Sequence, residues 1–368
     1  MWVHTCNSDG LPCCDAEARK RIDAGRGRHH HLTIDMHCHA LTLAVENLVA
    51  GRPEKQAEAE LSARSMGQPS VDHNNAVMLP QAFPKLTQID SRLADMDAMG
   101  IDVQVISPSP TQYYYWADYE LASRLTVVQN EAIAALVTAH PDRLSGLATV
   151  ALQYPSLAAE QLKYAVKVLG LRGVEISSSV NGRELSDPSL DPFWVAAQEL
   201  GALVFLHPFG TTLGERVTSH YLVNTIGQPL ETTIALSHLI FGGVLDSHPG
   251  LKIVAAHGGG YLPTYSGRSD HALAVRPEAA TRTRTKPSEH LKRIWFDSIV
   301  YDPAALRTLV DHVGVSQVVV GTDYPFDMGN YDIHGLVATT AGLTEMERAA
   351  ILGGNAASLI GWPVAAKQ

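Results

Sequence analysis

The sequence predicts an α/β fold, and within that class a (β/α)8 (TIM) barrel. Short β-rich runs alternate along the chain with segments of helical periodicity. The β-rich runs are apolar throughout, as in a parallel sheet that helices cover on both faces. Eight such units between residues 32 and 323 suit a closed barrel better than an open sheet.

The elements follow one another in a regular order. Helices are predicted at 89–100, 155–170 and 190–201, where apolar residues recur at helical spacing. The predicted strands are 32–37, 103–108, 144–150, 171–177, 202–207, 251–257, 293–298 and 317–323.

The interval between the first and second strands is too long for a simple barrel turn. Its first part, approximately 41–88, is rich in polar residues, proline and glycine, and we predict a small insertion there after the first strand. Such a stretch is typical of a functional insertion or lid, with disorder as the alternative. We therefore divide the chain into an N-terminal extension, 1–31, and a barrel, 32–368.

Composition excludes several functional classes. The chain is 45% apolar with a net charge of −10 and no basic block, so we expect no binding to nucleic acid or to anionic membranes. No apolar run approaches the roughly 18 residues that a membrane span needs, and 1–31 has no apolar core of a secretory signal. The four cysteines form no paired zinc pattern. A cytoplasmic protein with reduced thiols is the expectation.

Titratable side chains stand where four of the predicted strands end. His37 and His39, in "TIDMHCHA", end the first strand and share one face because strand side chains alternate. His207 ends the fifth strand, His257 the sixth and Asp323 the eighth. In a barrel these ends converge on one face, where active sites are built.

Together these groups predict a metal site. Three imidazoles and one carboxylate with an open position form a catalytic site for one divalent ion; we expect Zn²⁺, and Mn²⁺ or Co²⁺ also suits the ligands. The remaining histidine, His257, suits a general acid or base. A single histidine at a strand end is more often structural, so the joint pattern carries this prediction.

Longer stretches resemble a known family. Residues 229–278, 296–329 and 354–362 are similar to the amidohydrolase superfamily, and within it to the branch of metal-dependent decarboxylases typified by 2-amino-3-carboxymuconate-6-semialdehyde decarboxylase. The resemblance covers about 32–362. It implies a barrel enzyme, commonly a dimer, that needs no organic cofactor.

The resemblance also implies residue roles. His257 and Asp323 correspond to catalytic residues, and His257 handles a proton beside the metal. Arg268 matches an arginine that reaches the neighbouring subunit's site and holds the substrate carboxylate, for which a guanidinium is suited. The corresponding metal ligands are His37, His39, His207 and Asp323.

Two departures bear on the substrate. Phe209, a substrate-binding candidate, stands where the family pattern has a tryptophan. A second carboxylate-binding arginine has no clear counterpart around 78–88. The loop 107–120, with its Tyr-Tyr-Tyr-Trp run, could wall a pocket for an aromatic or conjugated acid, although packing is an equal alternative.

We therefore expect a metal-dependent non-oxidative decarboxylase (carboxy-lyase) of an aromatic or conjugated unsaturated carboxylic acid. The alternative is a metal-dependent hydrolase or hydratase of a C–C, ester or amide bond at the same site. A barrel that binds metal without catalysis is less favoured, because it would need neither an open position nor His257. The products discriminate: carbon dioxide indicates decarboxylation, and two carbon fragments indicate C–C hydrolysis.

Overall fold

Parallel strands form the centre of the molecule in a computed structural model, which describes residues 31–363. One sheet has the order β1-β2-β3 and a second has β4-β7-β8-β9, while β5 and β6 pair as a small antiparallel ribbon. The strands are β1 Ile34–Ala40, β2 Val103–Pro108, β3 Leu144–Gly146, β4 Gly173–Ile176, β5 Ser179–Val180, β6 Arg183–Glu184, β7 Leu203–Leu206, β8 Lys252–Ala255 and β9 Trp295–Phe296. The predicted α/β class with parallel sheets is confirmed.

Isolated parallel bridges connect the two sheets. Ala148 bridges Val174 at the start of the second sheet. At its other end, Phe296 bridges Val318, and Tyr324 bridges Cys38 in β1. The segment 318–324 therefore hydrogen-bonds on one side to β9 and on the other to β1.

The predicted eighth strand, 317–323, has no continuous strand ladder in the structure. Val319 N donates to the Phe296 oxygen at 2.9 Å and Met36 N to the Val320 oxygen at 2.9 Å. Farther along, Thr322 N also donates to the Asp35 carboxylate at 3.0 Å. A side chain thus takes part in the pairing, which interrupts the regular backbone pattern.

Helices connect the strands. The predicted helices at 89–100, 155–170 and 190–201 begin within a residue or so of their observed starts. The helices are α1 Leu43–Val49, α2 Pro53–Met66, α3 Gln68–His73, α4 Leu79–Thr87, α5 Ile89–Met99, α6 Tyr119–Ala139, α7 Pro155–Lys167, α8 Asp191–Leu200, α9 Gln228–Phe241, α10 Val244–Ser247, α11 Leu262–Val275, α12 Pro287–Leu291, α13 Pro303–Val313, α14 Ile333–Thr339, α15 Glu345–Ala349 and α16 Asn355–Ile360. Within the part described, no helix is long and apolar enough to span a membrane.

Residues 41–88, the predicted insertion, form the helices α1 to α4. At the junction of α2 and α3, Gly67 has a φ of +75°, and a Cβ there would lie 2.2 Å from the Thr218 backbone oxygen. The absence of a side chain at Gly67 allows the insertion to lie this close to the loop that follows β7.

Strand side chains from both sheets pack in one cluster. It includes Met36, Val105, Phe205, Val254 and Val319, all essentially inaccessible to solvent. Continuous apolar strands are therefore buried on both faces, as the sequence pattern indicates.

Substitution of Gly173 by alanine tests the close contact between β4 and β7. A Cβ at this position would lie 1.9 Å from the Leu203 oxygen, so Gly173→Ala must push the strands apart. We expect a loss of about 2–3 kcal/mol in the free energy of unfolding, measured by chemical denaturation. Gly267→Ala is the control, because a Cβ in that helical position meets nothing within 4 Å; it should stabilise by about 0.5–1 kcal/mol. Equal unfolding midpoints for Gly173→Ala and wild type would contradict the described pairing.

Candidate metal centre and active-site cavity

The predicted titratable residues meet at the carboxyl ends of the strands. His37 and His39 lie in β1, and their ring centroids are 5.1 Å apart. His207 directly follows β7, and His257 lies two residues after β8. Asp323 and His257 have positive φ values, +57° and +55°, which are uncommon for residues other than glycine and are often found at functional sites.

One ligand atom from each of the predicted metal ligands falls within a small volume. These atoms, from His37, His39, His207 and Asp323, all lie within 4.8 Å of one another, and all four residues are buried. Nε2 of His37 lies 3.2 Å from Nε2 of His39, and each is 3.3 Å from Asp323 Oδ1. The arrangement brings a nitrogen atom of each of three rings and a carboxylate oxygen together around one small volume.

A divalent ion fits this arrangement. Both ring nitrogens of His207 are buried without a hydrogen-bond partner, an arrangement that is costly unless something else takes up a lone pair. An ion held by nitrogen and oxygen ligands would satisfy one of them. The residues that would hold the ion are His37, His39, His207 and Asp323.

The electrostatics of the cluster favour added positive charge. Burial lowers the pKa of His37, but Asp323 and Asp297 outweigh it and raise the value to about 10. Burial raises the pKa of Asp323, yet the imidazoles hold it well below its usual range. Burial and its histidine neighbours lower the pKa of His207. An ionised carboxylate beside the neutral imidazole of His207 suits a metal site.

Asp297 positions two parts of the site at once. His37 Nδ1 donates to its Oδ2 at 2.5 Å, which leaves His37 Nε2 facing the cluster. The same carboxylate accepts backbone hydrogen bonds from His257 at 3.0 Å, Gly258 at 2.8 Å and Ile299 at 3.1 Å. Burial raises the pKa of Asp297, but the hydrogen bond and charge of His37 outweigh it and lower the pKa.

Glu175 lies next to His39, the second histidine of β1. It is fully buried, and Tyr113 Oη donates to its Oε1 at 2.7 Å. Its Oε2 has no hydrogen-bond partner and lies 3.6 Å from His39 Nδ1. Burial raises the pKa of Glu175, and its electrostatic interaction with His39 opposes that effect.

His257 stands between the cluster and a cavity. Its Nε2 lies 3.6 Å from Asp323 Oδ2, and its Nδ1 is buried without a hydrogen-bond partner. The ring also lines the cavity, so it can reach both a bound molecule and Asp323. This is the geometry that a proton-transferring residue needs.

The cavity has a volume of about 480 Å³, within the range of small-molecule sites. Tyr113 and Tyr115 stack on one side, with an interplanar angle of 7° and centroids 5.4 Å apart. The insertion contributes residues of α2 and the following turns. The aromatic lining consists of Tyr113, Tyr115, Trp116, Phe209, Tyr221 and Phe326.

The two predicted substrate-binding residues differ in placement. Phe209 lines the cavity and contacts Tyr113 edge-on. Arg268 is exposed on α11 and does not line the cavity of its own chain.

Sequence reasoning missed Asp297 and Glu175. Each lies in or directly after a buried apolar strand, and a carboxylate in such a run was the available signal. Their roles depend on which histidine each one meets, and a sequence pattern does not contain that information.

Comparisons with known proteins agree with the geometry. A family model described as amidohydrolase matches residues 34–362. The 2-amino-3-carboxymuconate-6-semialdehyde decarboxylase of Dictyostelium discoideum is 36% identical over 273 residues, 74% of this chain and 76% of that protein.

Solved structures are similar as well. The 5-carboxyvanillate decarboxylase of Sphingomonas paucimobilis has a TM-score of 0.79 at 25% identity and covers 90% of this chain and 99% of its own. A dihydroxybenzoic acid decarboxylase of Polaromonas sp. JS666, solved with bound manganese and the inhibitor 2-nitroresorcinol, has a TM-score of 0.75 at 24% identity, covering 90% and 97%. The second likeness concerns the fold alone.

Asp297→Asn tests the positioning of His37. The amide keeps only one acceptor oxygen and turns an NH2 group towards donors, so the His37 ring loses its support. We expect the affinity for Mn²⁺ to fall about 10–100-fold, measured by equilibrium dialysis with elemental analysis. Asp311→Asn, at an exposed helical position, should bind Mn²⁺ like wild type. An unchanged affinity in Asp297→Asn would show that this hydrogen bond does not support a metal ligand.

Proposed function

This chain belongs to the amidohydrolase family, and we propose that it is a metal-dependent, non-oxidative carboxy-lyase of an aromatic or conjugated unsaturated carboxylic acid. The observation that carries this proposal is the group of three histidines and one aspartate at the base of an aromatic-walled cavity, with His257 beside it. The named relatives are decarboxylases, which favours this activity over the hydrolase or hydratase alternative.

We propose one divalent ion, held by His37, His39, His207 and Asp323. Zn²⁺ remains the expectation, and a set of nitrogen and oxygen ligands also suits Mn²⁺ or Co²⁺. When bound, such an ion supplies a concentrated positive charge that orients an anionic substrate.

His257 is the proposed proton donor. A proton from its ring adds to the carbon that bears the carboxylate, the bond to the carboxylate breaks, and its electron pair returns to the conjugated system as carbon dioxide leaves. Solvent then restores the proton of His257. Asp323 Oδ2, 3.6 Å from His257 Nε2, stabilises the protonated ring before transfer.

The aromatic wall completes the proposed reaction site. Stacked Tyr113 and Tyr115, with Phe209 edge-on to Tyr113, offer flat apolar surfaces to a conjugated acid. They also exclude water, which strengthens the electrostatic interactions of the substrate with the charged base of the cavity.

We further propose a homodimer in which Arg268 enters the neighbouring subunit's cavity and holds the substrate carboxylate. Arg268 is exposed on α11, the helix that follows the His257 loop. On the same helix, Tyr265 is 68% exposed, a large aromatic surface that suits a protein contact.

The closure of the barrel and the division of the chain into segments are also proposals. We propose that the strands close into a (β/α)8 barrel, 32–368, with an insertion at about 41–88 and an extension at 1–31. The parallel bridges at Ala148, Val318 and Tyr324 support closure. The extension lies outside the described residues except for its last one, and a cytoplasmic location stays a prediction.

Asp323→Ala tests the whole site. The variant removes the one carboxylate ligand, so we expect bound metal and carbon dioxide release to be lost together. The measurements are elemental analysis and carbon dioxide release from a panel of aromatic and muconate-like acids. Two carbon fragments without carbon dioxide from the wild type would favour the hydrolase, and a wild type that holds no metal after reconstitution would overturn the site.

His257→Gln separates proton transfer from metal binding. Because His257 lies outside the ligand group, metal content should stay at the wild-type level. Carbon dioxide release should fall by about 10²–10⁴-fold, the usual contribution of a general acid or base. His312→Gln, at an exposed position, is the control. Release within a factor of about three of wild type would remove His257 from the mechanism.

A further inference from the structure

The formally charged side chains that line the cavity are all acidic. Its formally charged lining residues are Glu58, Asp323 and Asp327, and among residues 31–363 no lysine or arginine lines it. Asp323 belongs to the ligand cluster, and Asp327 lies 3.1 Å from His73 Nε2. Glu58, on α2, is therefore the acidic group left to face a ligand on the insertion side.

The nearest cation to Glu58 on its helix is engaged elsewhere. Lys55 Nζ donates to Tyr114 Oη at 2.6 Å and lies 3.4 Å from Glu46 Oε2. Burial raises the pKa of Glu58. The Trp116 side chain and the charge of Lys55 oppose this effect but do not outweigh it. A carboxylate in this poorly solvated place is stabilised by a hydrogen-bond donor and destabilised by a second negative charge.

We propose that Glu58 determines substrate specificity: it accepts a hydrogen bond from a hydroxyl or amino substituent and excludes a second carboxylate. This inference rests on the proposed function and narrows the substrate to an aromatic monocarboxylic acid with such a donor. The substrate's one carboxylate lies at the base of the cavity, its ring lies against Tyr113 and Tyr115, and its donor faces α2.

Binding measurements test this independently of turnover. The probes are two sets of benzoates, substituted at the ortho or the meta position with a hydroxyl, an amino group or a second carboxylate. Calorimetry on the Mn²⁺-loaded full chain should show the hydroxy and amino acids binding about tenfold or more tightly than the matching dicarboxylate in at least one set.

Two variants and a control assign this preference to Glu58. Glu58→Gln should reduce the ratio of dicarboxylate to hydroxy-acid dissociation constants to about threefold or less, because repulsion is gone. Glu58→Arg should invert it, because a guanidinium pairs with the second carboxylate. Glu60→Arg makes the same charge change at an exposed position of α2, where Glu60 accepts a hydrogen bond from Gln56, and should keep the wild-type ratio.

The outcomes separate the two proposals. Equal binding of dicarboxylates and hydroxy acids to wild type, or an unchanged ratio in Glu58→Gln, overturns the role of Glu58, and this second criterion holds even if Glu58→Arg does not fold. Carbon dioxide release is then measured with each acid that binds. Release without the binding preference overturns only this inference, whereas the preference without release from any acid overturns only the proposed decarboxylase.

Discussion

The buried carboxylate of Asp297 is the constraint on which the rest of the site depends. One oxygen fixes the tautomer of His37, and the two oxygens together accept three backbone amides, including that of His257. A buried charge is tolerated only when such hydrogen bonds replace its hydration. The hydrogen bonds that stabilise Asp297 therefore also fix His37, in the histidine cluster, relative to His257, which faces the cavity.

A second buried carboxylate, Asp35, does the same for the backbone. It accepts hydrogen bonds from Thr322, from Gln104 in β2 and from the amide of His37. It thereby ties β1 and β2 to the segment that carries Asp323. Burial raises the pKa of Asp35, and these hydrogen bonds oppose that effect. The ligand cluster is preorganised because both ends of it are held by groups that cannot move without losing buried partners.

The base and the walls of the cavity have separate physical tasks. In the proposed function, the histidines and Asp323 at the base set the class of chemistry. The loop with Tyr113 and Tyr115 and the insertion with Glu58 line the walls of the cavity. The Tyr113–Glu175 hydrogen bond joins the two regions, because Glu175 also lies beside His39. Specificity can thus change through the insertion without moving the ligands, as is common where loops are carried on a rigid sheet.

The sequence by itself determined the elements and the reactive groups. Continuous apolar runs predict buried parallel strands, and the ends of these runs place His37, His207 and Asp323 along the chain. Only the tertiary structure decided which partners these groups have. Asp297 meets a histidine 260 positions away, Thr322 interrupts the last predicted strand by bonding to Asp35, and the polar insertion is helical. The local pattern of apolar residues indicates how a segment folds and which face it buries. The pairing of buried charges depends instead on contacts between segments that are far apart in the chain.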